Sequence, residues 1–504
     1  MKANRNPYLS RGLAASIAIG FSTTSAFAVT QYWSGAGTWN TASNWGNASG
    51  GPYNVAWNNG TADVAVFEGT GGLVTIGASR NADRLDFNVT GYTLNAASPV
   101  TITGAGATNY NLAAGVTATI GANVTLQSST TSQNWNIKGG NKTTSALDLE
   151  GVIRNNTANS SSLLDGTVNV KSGGQLISLT SIVTGTTTTG SGSVLNVAGS
   201  VSIGAAGSSL ILNNTGGITA DSSITLSTGG NITFTDAGNT NGIRFGANGG
   251  SVTASTDLTG TLNLNGGVAT INKIFMGGAY TGGSKYTAIV NLNGGTLKAL
   301  KDQVDFFEGI TDANNGSIAS GAFVKAGGAI FDSNSFNITV DQALLADSAS
   351  GGLEKKGAGT LTLGGNCTYT GDTFVNNGTL ALSSTGGLKF KIGADDVNNQ
   401  ISSTGVGTVT LNGLFTFDLT GASTTINDSW NIVDVANLAE SYGSNFSISG
   451  FTADGGGDLW NGSANGAYYQ FSESSGVLTV VPEPNAAALI GGFGILALLR
   501  RRRH

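Results

Sequence analysis

Gly351-Gly352-Leu353-Glu354-Lys355-Lys356-Gly357-Ala358-Gly359-Thr360-Leu361-Thr362-Leu363 runs on through Tyr369-Thr370-Gly371-Asp372-Thr373 to Val375-Asn376-Asn377-Gly378-Thr379-Leu380-Ala381-Leu382. Within each Gly-Thr-Leu-x-Leu unit the apolar residues alternate with Thr or Ala, which places the leucines on one face of an extended strand. Glycine and asparagine at the unit ends supply the positive-φ corners that let a chain turn sharply between strands. Gly359 and Gly378 lie 19 residues apart. That is about one turn of a coil built from three short strands, with each turn burying its apolar face against its neighbours.

The same short unit recurs along the chain. It is found at Gly166-Thr167-Val168-Asn169-Val170, at Gly260-Thr261-Leu262-Asn263-Leu264, at Gly295-Thr296-Leu297 and at Gly407-Thr408-Val409-Thr410-Leu411. Strands of four to six residues interrupted by Gly-Asn corners fit either a sandwich or a β-solenoid. The 19-residue step favours the solenoid, and the fold expected is all-β: a right-handed parallel β-helix with a β-rich C-terminal end. Steps of 35 residues from Gly260 to Gly295 and 29 from Gly378 to Gly407 require loops in some turns or unequal turns. Thr residues are not expected to keep one register over successive units. The one amphipathic helix candidate is Val435–Tyr442.

Composition narrows the chemistry. The chain has 504 residues, 78 Gly, 5 Pro, a lone Cys367 and a lone His504 at its last position. Histidine is the usual base and metal ligand near neutral pH, so a Ser-His-Asp or Cys-His hydrolase and the common zinc sites are excluded. One cysteine makes no intramolecular disulfide, and no cofactor is expected. Positions 29–481 carry 16 Lys and Arg against 28 Asp and Glu, a balance of −12, although the whole chain stands at −6. Such a body repels phosphate backbones, so nucleic acid is not an expected partner.

The stretch over 351–383 resembles the autotransporter-associated β-strand repeat, whose pattern runs Leu-x-Lys-x-Gly-x-Gly-Thr-Leu-x-Leu, then Tyr-Thr-Gly, then Gly-Thr-Leu-x-Leu. Asn366-Cys367 and Asp372 depart from it, in what reads as a turn. The resemblance implies a passenger-type β-helix exposed at the cell surface. It does not imply self-export, because the C-terminus carries no run of amphipathic membrane strands.

Both ends read as addresses. Lys2, Arg5 and Arg11, the apolar run Leu13–Phe21 and Ala26-Phe27-Ala28 follow the order of a secretory signal peptide, with cleavage by signal peptidase expected after Ala28. At the other end Val481-Pro482-Glu483-Pro484 precedes the apolar segment Ala486–Leu499 and Arg500, Arg501, Arg502 and Arg503. Fourteen apolar residues make about 21 Å of helix, short of a ~30 Å hydrocarbon core. The arginines would hold that end on the cytoplasmic side. These three parts resemble the PEP-CTERM sorting signal. The resemblance implies a membrane-held helix before processing and an exosortase-like enzyme acting at Pro482, Glu483 and Pro484.

The expected organisation is a signal peptide (1–28), a Trp-rich N-terminal cap (29–60), a solenoid (61–383), a β-rich region (384–480) and the sorting signal (481–504). Region 384–480 is rich in aromatics, among them Phe415, Trp430, Phe446 and Tyr469, and reads equally as the end of the stack or as a separate sandwich. Trp33, Trp39 and Trp45, spaced by six, offer indole faces for stacking on sugar rings of an extracellular polysaccharide, or else close the end of the stack. Carboxylates for a β-helical polysaccharide lyase or glycosidase are Asp302, Asp305 and Glu308, or Asp395 and Asp396 on opposite sides of a strand. Loops Asp454–Asp458 and Asp312–Gly316 offer oxygen ligands to calcium but complete no known loop pattern, and turn chemistry is the expected role. The function expected is a secreted or cell-surface structural or adhesive protein, without enzymatic activity. A polysaccharide-active enzyme and an ice-binding protein are the alternatives.

Overall fold

The computed structural model describes residues 29–483, apart from 60–62, 105–109, 129–144, 156–161, Asp165, 185–191, 214–220, 237–241, 247–251, 254–256, 278–279, 282–285, Glu308 and 311–319. The described residues are all-β save one short 3-10 helix, Ala42–Asn44. Three long parallel sheets dominate, of twelve, thirteen and eleven strands. The chain visits them in rotation and returns to the same sheet every third strand through the middle of the body. Thr167–Val170, Gln175–Ser178 and Ile182–Thr184 belong to the first, second and third sheets. Each then pairs in parallel with the strand one turn later: Val194–Val197, Ser200–Ile203 and Leu210–Leu212.

The register explains why the sequence alternates. Leu147, Val168, Leu195, Ile224, Leu262, Val290, Ala322 and Leu344 are paired one above the next along the first sheet. All are buried, and each such Leu, Ile or Val contributes about 1.5–3 kcal/mol by leaving water. A shift by one residue would turn the whole row outward, so the buried face fixes the pairing.

The matched units at Gly359, Gly378 and Gly407 are successive strands of the third sheet, with Thr360 opposite Thr379 and Thr379 opposite Thr408. The 29-residue step is thus a single turn. Its extra length holds the excursion from Gly393 to Asn399 between Gly387–Lys391 and Ile401–Ser402. The 35-residue step is not a turn at all, because Leu258–Asn265 lies in the first sheet and Thr296–Ala299 in the second. Threonine does keep register here, contrary to the sequence expectation, and Thr379 Oγ1 lies 2.8 Å from Thr408 Oγ1. Glycine is obligatory at Gly359, where a Cβ would collide with the Phe336 carbonyl of the preceding turn.

At the N-terminal end Thr30–Ser34 pairs in parallel with Val64–Glu68 and antiparallel with Trp45–Gly46. Parallel pairing therefore begins before residue 60. At the other end the parallel strands continue to Ala439–Tyr442 and Ser447–Ile448. A five-stranded antiparallel sheet, made of Ser429–Asn431 and the four strands from Phe451 to Val481, adjoins them, and its Trp430, Tyr469, Phe471 and Leu478 join the same buried core. Val435–Tyr442 is not helical: it is a turn followed by the edge strand Ala439–Tyr442. Asn366–Cys367, expected in a turn, is a short strand paired with Gly387-Leu388, which buries Cys367. No helix among the described residues is long and apolar enough to cross a membrane, and Ala486–Leu499 lies outside them.

Candidate functional site

The outward face of the first sheet carries a polar row made by the same register that stacks its core. Asp148, Asn169, Asn196, Thr225, Asn263 and Asn291 stand one above the next. Asn169 Nδ2 donates to Asp148 Oδ1 (2.7 Å) and Asn196 Nδ2 to Asn169 Oδ1 (2.8 Å). Higher up, Asn263 Nδ2 donates to Thr225 Oγ1 (3.3 Å) and Asn291 Nδ2 to Asn263 Oδ1 (2.8 Å). The row stops at the buried Asn291 Oδ1, which has no partner, because the next turn brings Phe323 to the same position. A repeating amide and hydroxyl surface of this kind binds by shape and hydrogen bonds, and its one carboxylate, Asp148, is paired with Lys171 at 3.1 Å.

A second feature sits in residues 353–382. Lys355 shares the strand parity of Leu353, so its side chain enters the core and is fully buried. Its Nζ donates to Ser333 Oγ (2.9 Å) in the turn before, to the carbonyls of Lys356 (2.8 Å) and Gly357 (2.7 Å) in its own turn, and to the Asn377 carbonyl (3.0 Å) in the turn after. One ammonium therefore ties three consecutive turns. Burial pushes its pKa down to about 8, opposed by the nearby Asp332 carboxylate.

The sugar-stacking expectation for Trp33, Trp39 and Trp45 is corrected: all three are 0% exposed. They form a cluster with Trp57 and Phe67, and Trp45 lies 5.1, 4.9 and 4.5 Å from Trp33, Trp39 and Trp57 between ring centroids. Trp33 Nε1 donates to the Gly35 carbonyl and Trp45 Nε1 to the Trp39 carbonyl. Rings that fill the interior have no face left for a ligand.

Asp302, Asp305 and Asp395 among the candidate catalytic carboxylates already have partners. Asp305 pairs with Lys273 at 2.6 Å, and although burial works to raise its pKa, the ammonium outweighs it and leaves the carboxyl below its ordinary value. Asp302 Oδ1 accepts the Asn337 amide (2.7 Å), while Glu308 lies outside the described residues. Asp395 and Asp396 are in a loop and not on a strand. Asp395 Oδ1 accepts the Ser429 amide and Asp396 takes a left-handed backbone, φ 58°. Asp454 Oδ1 accepts the amides of Gly456, Gly457 and Leu459, which is turn chemistry. Loop Asp312–Gly316 is outside the described residues. So are Ala28, Pro484 and Arg500 to Arg503; Pro482 and Glu483 are exposed and follow directly on the strand Val477–Val481.

Residues 353–382 match the Passenger-associated-transport-repeat family. They fall on the turns tied by Lys355 and on the stretch that resembles the autotransporter-associated repeat. Adhesin BmaC autotransporter of Brucella suis biovar 1 (strain 1330) is 41% identical over 68 residues, 12% of this chain and 2% of the adhesin. The chain thus spans a very small part of that relative's length.

Proposed function

We propose that the chain is an exported, surface-associated adhesive or structural protein without enzymatic activity, whose body is a right-handed parallel β-helix. The observation that carries this reading is the repeat at 353–382, which matches the Passenger-associated-transport-repeat family and supplies consecutive in-register turns of the parallel stack, in a chain of which 68 residues resemble part of a protein named as an adhesin. A stack of this kind presents a long, regular face, and the Asn and Asp row of the first sheet is the contact surface assigned to it. In this reading signal peptidase cuts after Ala28 and the Trp-rich segment closes the first turn. Residues 481–504 act as a PEP-CTERM tag: its helix holds the membrane until an exosortase-like enzyme processes Pro482-Glu483-Pro484. Arg500 to Arg503 orient that helix, and the partner at the surface is extracellular polysaccharide.

Immunolabelling of intact producing cells tests the location, and attachment of those cells to polymer-coated surfaces tests the role. Labelling with reduced attachment in the Asn169→Glu, Asn263→Glu double variant is expected. Absence of label on intact cells, or unchanged attachment in cells lacking the protein, would refute the proposal. Replacing Pro482, Glu483 and Pro484 together by Ala is expected to leave an unprocessed, membrane-held form on immunoblots.

A further inference from the structure

Phe374 is the middle residue of Thr373–Val375, whose outer residues face the core while the phenyl ring points away from it, 39% exposed. It lies in a row across the second sheet with Ile330, Glu354 and Ser402. Beside the ring is a hollow of about 220 Å³ bordered by Glu354, Asp372 and Ile330 and floored by Gly327, Gly328 and Gly352. Asp372 also borders a second hollow of about 330 Å³, together with Lys391, Val397, Asn398 and Asn399. The floor is bare backbone by necessity, since a Cβ on Gly352 would strike the Asp372 carbonyl and one on Gly371 the Gly351-Gly352 backbone.

The polar groups around the ring are held in place but keep capacity. Asp372 Oδ1 accepts the Gln400 amide (3.0 Å), and Oδ2 has no partner among the described residues. Glu354 Oε1 accepts Asn376 Nδ2 (2.9 Å) while Oε2 pairs with Lys356 (3.1 Å), which fixes the carboxylate and leaves a lone pair on each oxygen. Asn398 spends its Nδ2 on the carbonyls of Asn399 and Asn431, so its Oδ1 stays available.

We propose that these two hollows form one binding groove for a neutral, hydroxyl-rich polysaccharide, with the C–H face of a pyranose on Phe374 and its hydroxyls donating to Asp372, Glu354 and Asn398. The chemistry selects that class. Carboxylates and an amide oxygen accept from hydroxyls, and an exposed phenyl face covers the apolar side of a sugar ring. Lys356 is taken up by Glu354 and Lys391 is matched by Asp372, so the hollows carry no net positive charge, and a body with a balance of −12 repels uronates, phosphates and nucleic acid. A protein partner needs roughly 800 Å² of contact on this side with several apolar anchors, and a single ring beside small hollows does not provide it. The inference rests on the surface reading above only for where the glycan is met.

The test is affinity electrophoresis of the purified full chain in native gels containing hydroxyethylcellulose, dextran or alginate. Retardation by hydroxyethylcellulose or dextran and none by alginate is expected. Phe374→Ala should weaken it at least tenfold, Asp372→Asn should weaken it, and Phe374→Tyr should retain it, all with unchanged melting midpoints. Wild-type affinity in Phe374→Ala, no retardation by either neutral glucan, or equal retardation by alginate would each overturn the groove. Cell-surface labelling separates the two readings. Label on intact cells with unaltered glucan binding by Phe374→Ala removes the groove alone; glucan binding without label removes the surface location alone.

Discussion

Trp45→Ala tests the interior of the N-terminal end. The indole is 0% exposed, its Nε1 donates to the Trp39 carbonyl at 2.8 Å, and its ring meets Trp33, Trp39, Trp57 and Phe67 within 4.5–6.0 Å. Burying a tryptophan removes about 200–250 Å² from water, worth about 5–6 kcal/mol at ~25 cal/mol per Å². Alanine recovers part of that, while the cavity, the lost edge-to-face contacts and the unpaired Trp39 carbonyl add to the loss. The net expectation is a cost of about 4–5 kcal/mol. In a stack where each turn touches only its neighbours, that cost stays local. Hydrogen exchange read by mass spectrometry should show faster exchange in Thr30–Ser34, Val64–Glu68 and Arg84–Phe87, with Thr360–Leu363 unchanged. A loss under 1 kcal/mol would refute the packing argument; equal loss of protection along the whole chain would refute locality.

Lys355→Met strands the carbonyls of Gly357 and Asn377, each at about 1–3 kcal/mol, and is expected to speed exchange in Thr360–Leu363 and Thr379–Leu382. The same residue gives a pH signature: burial lowers its pKa from 10.5 to about 8, so between those values the unfolded chain holds a proton that the folded chain has released. Stability should therefore rise with pH across that interval in the wild type and not in Lys355→Met, as read by denaturant melts. Asp418, held down to about 2 by its hydrogen bond with Lys389, gives the same sign of slope in an acid window. Its contribution is complete above its ordinary value of 3.8 and fades as pH falls toward about 2. Asp418→Asn should remove the fall in protection of Leu414–Asp418, corrected for intrinsic exchange, between pH 5 and pH 2.5, and an unchanged fall would exclude the pair as its source.

The stack was legible because its alternation and its Gly corners repeat. Spacing alone misleads because the three parallel sheets use the same local chemistry: Gly260-Thr261-Leu262 and Gly295-Thr296-Leu297 look like one position a turn apart, yet lie on different sheets. Val435, Leu438 and Tyr442 have a helical spacing, but a turn followed by a strand also brings Leu438 into the core. The tryptophans at intervals of six show no inside or outside, since aromatic size suits both a sugar platform and a core. Lys355 carries a sharper signal: its parity with Leu353 points it inward, against the usual solvation of lysine. Phe374 carries the converse signal, a large apolar residue at the outward position between Thr373 and Val375.

The in-register pairing along the second sheet sets the reach of the body. Thirteen strands in the second sheet, stepping by about 4.8 Å, measure roughly 60 Å between first and last. Insertion or loss of one whole turn changes that length by a single step and leaves every remaining row aligned. The protein therefore behaves as a ruler whose length is written in its number of turns. Its two ends, one filled with indoles and the other followed by an antiparallel sheet, stay the same whatever the count between them.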